Sequence, residues 1–127
     1  MSARTPRTVV FVYGSLLSGE RNHGRMAGAR LLGPARTLLR YALYHLGDYP
    51  GMTEGAQAIE GELYDVDARL LAALDAFEGH PNYFRRRPVA LEGGGWAEGY
   101  LLTRAQVAGR PSVPSGSWRA RGKERHS

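Results

Sequence analysis

An α+β domain, a small mixed β-barrel-like sheet with one principal helix, is the architecture this sequence predicts, and three observations lead to it. About five short runs have strand length and strand composition, and turn residues bound them. One stretch alone, "DARLLAALDAFEG", combines helical periodicity with both helix-end signals. Finally, 127 residues without a cysteine are enough for one domain to bury a core without cross-links.

In chain order, residues 1–7 read as a flexible start. Thr8–Tyr13 follows as a strand, and the unbroken Val9-Val10-Phe11-Val12 run belongs to a strand buried on both faces. It stops at Tyr13-Gly14-Ser15. The Gly- and Asn-rich "GSLLSGERNHGRMAGA" then predicts a loop with at most one helical turn. "RTLLRYALYHL" predicts the second strand, "GDYPGM" a turn, and "AIEGELYDV" the third strand, in which Gly61 marks a bulge or the close approach of another backbone.

Asp67 is placed to cap the start of the helix and Gly79 to close its end. "YFRRRPVALE" and "WAEGYLLTR" complete the strands, joined by Gly93-Gly94-Gly95 as a hairpin. A phosphate cradle would need a helix directly after those glycines, and "WAEGYLL" is not one. The domain is thus expected over 8–110, with 111–127 as a basic C-terminal extension.

The formal charge is +5, and its location decides what it means. Residues 104–127 carry six basic side chains against Glu124, so the preceding body is neutral. "WRARGKERHS" reads as a solvated, disordered tail rather than a phosphate-binding arm, and nucleic acid is not expected as a partner. The longest apolar stretches have only strand length, so no membrane partner is expected either. The absence of cysteine excludes disulfides, thiolate metal sites and a cysteine nucleophile, and the expectation is a soluble cytoplasmic protein.

One residue conflicts with a purely structural helix. At about 100° per residue, Leu70, Leu71, Leu74 and Phe77 form an apolar stripe, and Glu78 projects between Leu71 and Leu74. Asp75 lies further round and is expected to reach water. Burial and the negative end of the helix dipole would both raise the pKa of Glu78, which suits a general base near neutrality. Two structural alternatives compete with that reading: the helix frays at Gly79 and turns Glu78 outward, or one of Arg85 to Arg87 pairs with it.

"FVYGSLLSGERNHGRM", "YALYHLGDYPGM", "IEGELYDV" and "LDAFEGHPNYFRR", in that order, resemble the motifs of the γ-glutamylcyclotransferase-like family. The resemblance runs from about Val9 to Tyr100. "PSGSWRARG" is similar to a degenerate form of the family's terminal Ser-Gly-Asp-Trp segment, with Ser117 where that segment carries Asp. The resemblance implies a compact mixed barrel with an attached helix. It also implies a reaction on a small γ-glutamyl amide, in which the substrate's own α-amine attacks its γ-carbonyl, releasing an amine and forming 5-oxoproline.

By that resemblance the backbone of Tyr13, Gly14, Ser15 and Leu16 holds the substrate's α-carboxylate or α-amino end, and Glu78 is the proton acceptor. Tyr49, in the Tyr-Pro-Gly turn, and Tyr83, in "NYFRR", are expected at the pocket wall, or else as ordinary core aromatics. No cofactor and no metal is implied. Ser15 lacks the Gly-x-Ser-x-Gly of a nucleophile elbow, because Leu17 stands where the second glycine would be. It reads as a ligand contact or a turn residue. His23, His45 and His80 read as surface or packing residues, His23 being nearest the pocket, and Glu62 as a residue of packing or hydrogen bonding. The alternative to an enzyme is a non-catalytic ligand-binding or adaptor module on the same fold.

Overall fold

A computed structural model describes residues 6–121. Its strands are β1 (Arg7–Val12), β2 (Arg30–Arg36), β3 (Tyr41–His45), β4 (Pro50–Glu54), β5 (Glu60–Asp67), β6 (Arg85–Ala90) and β7 (Trp96–Leu101), with helices α1 (Ala68–Glu78) and α2 (Arg104–Val107). They form one mixed sheet in the order β2-β5-β1-β7-β4-β3, and β6 pairs with β7 off this path. The architecture is α+β with one main helix, as expected. The sheet curls without closing, because β2 and β3 at its two ends do not pair with each other.

β6 runs antiparallel along the whole of β7, from Arg85↔Leu101 to Ala90↔Trp96. The parallel neighbours β1 and β4 must therefore share the other edge of β7. β1 meets it at Val10↔Glu98 and β4 at Met52↔Leu101. Between them the edge is unpaired at Tyr100, and the hydroxyl of Tyr13 bridges the gap. It donates to the Tyr100 carbonyl at 2.7 Å and accepts from the Met52 N–H at 3.1 Å. The chain leaving β1 is thus free to turn away from the sheet, and that split is where a cavity opens.

β1 forms the centre of the core, with Val10 and Phe11 fully buried. Its neighbour β5 approaches so closely that a Cβ at Gly61 would lie 2.2 Å from the Val12 carbonyl oxygen, which decides between bulge and close approach in favour of the latter. The predicted ends of α1 are present: Asp67 accepts from the Leu70 N–H at 2.8 Å, and Gly79 takes the left-handed conformation at φ 70°.

Several expectations need correction. The predicted second strand, residues 36–46, is shortened to β3 over Tyr41–His45, because Thr37, whose buried side chain accepts from the Ile59 N–H at 2.9 Å, lies in the connection before it; β2, on residues that carried no predicted element before Arg36, is a further strand. β2 is hard to read because Gly33 and Pro34 interrupt it, with a register shift between Leu31 and Gly33. As an edge strand it tolerates both. The predicted turn "GDYPGM" ends earlier, at Tyr49, and Pro50 opens β4, a position where a strand does not need the missing N–H. α2, opened by a Thr103–Gln106 capping box, was not expected at all.

The chain ends also differ. Arg7, assigned to the flexible start, pairs with Asp67 in the sheet and reaches Asp65 at 3.1 Å. Residues 111–121 belong to the packed body. Val113 and Trp118 are almost completely buried, and Arg119 and Arg121 are engaged in ion pairs, so this stretch is not a solvated tail. The rest of the expected tail, and residues 1–5, lie outside the described residues. Among those described, no helix is long and apolar enough to cross a membrane.

Candidate active site

At the split between β1 and β4 lies a cavity of about 280 Å³. The turn Gly14–Leu16 forms one side and Glu78, at the end of α1, contributes another; Tyr49, Tyr83 and Tyr100 also face it. All seven residues singled out from the sequence, Tyr13, Gly14, Ser15, Leu16, Tyr49, Glu78 and Tyr83, line this one space. Residues far apart in the chain meet there because the end of β1 and the end of α1 both point into it.

The turn has an uneven hydrogen-bond pattern. The carbonyls of Gly14, Ser15 and Leu16 are all engaged, by the Leu17 N–H at 3.0 Å, the Asn22 N–H at 2.9 Å and His23 Nδ1 at 2.9 Å. Among the described residues the N–H groups of the same three residues have no acceptor. Three consecutive free donors beside a cavity are an arrangement that can accept an anion without a positive side chain. Gly14 is required there, since a Cβ would fall 2.5 Å from the Pro50 ring. His23 thus holds the turn from behind, and Asn22, not His23, lines the cavity.

Glu78 is the reverse case, an acceptor without donors. No described residue donates a hydrogen bond to its carboxylate, and burial pushes its pKa up to about 7, opposed only by the positive charge of Arg25. The Arg25 guanidinium is held 3.9 Å over the ring of Phe77. Neither structural alternative applies. The helix is regular to Glu78, and Arg86 is committed elsewhere, to Asp75 at 2.9 Å and to Glu98 at 2.8 Å.

Asp75 is consequently not a solvent-facing acid, as its position on the helix had suggested. It accepts from Arg86 and, at 2.6 Å, from the Tyr100 hydroxyl, fixing Tyr100 in the cavity wall. Burial and that carboxylate raise the pKa of Tyr100, so it remains a neutral phenol. At the outer rim the hydroxyls of Tyr49 and Tyr83 lie 2.5 Å apart, and Tyr83 is 42% exposed. Burial and this bond push Tyr49 up to about 12.

Sequence reasoning missed Asn22, Phe84 and Tyr100 in the lining. For Tyr100 a signal existed: it alternates with Glu98 along β7, on a strand that ends beside the site. Among the described residues no three His, Asp or Glu side chains are grouped to hold a metal ion.

A curled α+β sheet thus sets a carboxylate without a donor among the described residues and a turn of free N–H groups around one small cavity. The chain belongs to the family described as gamma-glutamyl cyclotransferase, AIG2-like, whose model matches residues 10–120. It is 48% identical over 81 residues to a putative gamma-glutamylcyclotransferase of Vibrio cholerae, covering 64% of this chain and 70% of that one. It is 36% identical over 115 residues to the gamma-glutamylcyclotransferase family protein YtfP of Escherichia coli K12, covering 90% and 98%. The solution structure of ytfP from Escherichia coli superposes with a TM-score of 0.69. The crystal structure of c4763, a uropathogenic Escherichia coli-specific protein, superposes at 0.82 with 25% identity, covering 93% of this chain and 97% of that one.

Proposed function

We propose, with family membership in support of a cyclotransferase-type function, that this chain converts a small γ-glutamyl amide into 5-oxoproline and a free amine, with Glu78 as the proton carrier. The observation that carries the reading is the cavity in which Glu78, lacking any donor, shares one space with the three free N–H groups of Gly14, Ser15 and Leu16.

The N–H groups receive the α-carboxylate of the substrate, which orients its α-amine. That nitrogen attacks the γ-carbonyl carbon, a new C–N bond closes the five-membered ring, and the proton leaving the nitrogen passes to Glu78. The original amide C–N bond then breaks as Glu78 returns the proton to the departing amine, so the carboxylate is regenerated and no co-reactant is consumed. A base with a pKa of about 7 suits both transfers. Because attack is intramolecular, holding the bent conformer contributes an effective molarity of roughly 10⁵–10⁸ M. Ser15 contributes its N–H and is not a nucleophile.

The test is incubation with a panel of γ-glutamyl amides, following 5-oxoproline release by chromatography. Turnover of at least one member that Glu78→Gln loses supports the proposal. Equal turnover by wild type and Glu78→Gln would remove Glu78 as the base, and no turnover across the panel would favour a ligand-binding module.

A further inference from the structure

The segment after α2 crosses back over the molecule and ends on the loop that carries Gly14–Leu16. Its path is fixed by Val113, whose N–H donates to the Leu43 carbonyl at 2.8 Å, and by Trp118, buried with its ring 4.9 Å from that of His45. The next residue, Arg119, directs Nη2 to the Ser18 carbonyl at 2.7 Å, the Ser18 hydroxyl at 2.8 Å and Glu62 Oε2 at 3.1 Å. Glu62 in turn accepts from the Ser18 N–H at 2.9 Å, the Ser18 hydroxyl at 2.7 Å and the Tyr64 hydroxyl at 3.1 Å. Arg121 covers the Trp118 ring at 4.1 Å and pairs with Glu20 at 3.2 Å.

Ser18 lies two residues beyond Leu16. Within the loop, turn-type bonds link residues 14–23 to one another, but they do not attach the loop to the sheet. Among the described residues, its polar ties to the rest of the molecule run through Glu62, Arg119 and Arg121, apart from an exposed Arg21–Asp48 pair at 3.5 Å. A charged nitrogen whose two N–H bonds are shared among the carbonyl and hydroxyl of Ser18 and the carboxylate of Glu62 restrains Ser18 in position and in rotation.

We infer that Arg119, acting through Glu62 and Ser18, is a positioning residue for the Gly14–Leu16 turn, and that residues 118–121 form a strap setting the site's affinity for the carboxylate of its ligand. This rests on the reading of that turn as the carboxylate receptor. The strap orders the three N–H groups before ligand arrives, which is where a receptor built only from backbone loses most when its loop is loose.

The experiment compares Arg119→Ala and Arg119→Lys with wild type by ¹⁵N relaxation of the Gly14, Ser15 and Leu16 amides, calorimetric binding of 5-oxoproline, and separate kcat and KM. In Arg119→Ala the three amides gain motion that α1 does not. The affinity for 5-oxoproline falls about tenfold, in line with loss of a charge-assisted contact. KM rises by the same factor while kcat stays within about twofold. Arg119→Lys recovers part of the affinity, and it carries the test alone should the alanine variant not fold. A lowered Tm with unchanged amide motion and affinity overturns the inference. Should wild type neither bind 5-oxoproline nor turn over any amide, the cyclotransferase reading fails, while the relaxation data still decide whether Arg119 orders the turn.

Discussion

Two inward-facing glutamates of this small domain have opposite surroundings. Glu62 is buried with donors on every side: Ser18 through both N–H and hydroxyl, Tyr64 and Arg119. Burial alone would raise its pKa, but these donors together hold it below the ordinary carboxylate range. Glu78 faces the cavity with no donor among the described residues, and there burial prevails. The difference separates scaffold from site. A carboxylate whose lone pairs are satisfied ties elements together, whereas one left unsatisfied beside a cavity is available to take a proton.

The largest expected effect breaks the comparison on the Glu78 side. Glu78→Gln keeps shape and removes the proposed proton acceptor, so 5-oxoproline release is expected to fall by roughly 10²–10⁴-fold, with calorimetric affinity for 5-oxoproline retained. A variant that keeps more than half the activity contradicts the division of roles.

On the Glu62 side the loss is of folding. Glu62→Ala leaves Arg119, Tyr64 and Ser18 without their acceptor, and urea denaturation is expected to show a loss of about 2–4 kcal/mol. The same substitution at Glu78 removes no hydrogen bond and should not lower stability.

The pH dependence sharpens the contrast. The folded pKa of Glu78, about 7, is above its unfolded value, so the folded state holds the proton more tightly. Its contribution to stability is complete below the unfolded pKa and is lost as pH rises toward 7. Glu78→Gln should therefore stabilise the fold by about 1–3 kcal/mol at about pH 8 and make little difference at about pH 4. On the proposed role of Glu78, activity is expected to run the other way, with kcat/KM rising to a plateau as Glu78 ionises near 7. The lowered pKa of Glu62 predicts the opposite stability trend: its contribution is present above the unfolded pKa and lost in acid.

The smallest effect concerns the rim. Tyr83→Phe removes the hydroxyl contact to Tyr49, on a side chain already 42% exposed, and thermal unfolding should register less than about 1 kcal/mol. A larger loss would mean that the tyrosine pair is scaffold as well.

The legible parts of the fold were those with local causes. Asp67 and Gly79 define α1 because capping involves residues within one turn, and the apolar run at β1 needs only its own composition. β2 escaped because an edge strand accepts Gly33 and Pro34, and the predicted strand over 36–46 began too early because a buried hydroxyl at Thr37 bonding Ile59 has no periodic signature. The candidate site was legible to a similar extent. The helical wheel turned Glu78 inward, and the family motifs brought the aromatic-glycine turn and the two rim tyrosines into consideration. Asp75 was misjudged because its partners, Arg86 and Tyr100, come from other strands.

Local patterning alone therefore settled the principal helix and the abrupt end of the first strand, and it singled out Glu78 without deciding its surroundings. Tertiary contact decided what those features became. Whether Glu78 meets a donor, whether Tyr13 spans the gap between β1 and β4, and whether Arg119 grips a loop 101 residues away depend on side chains that only folding brings together. A sequence displays period and composition, but desolvation and long-range hydrogen bonds exist only between neighbours in space.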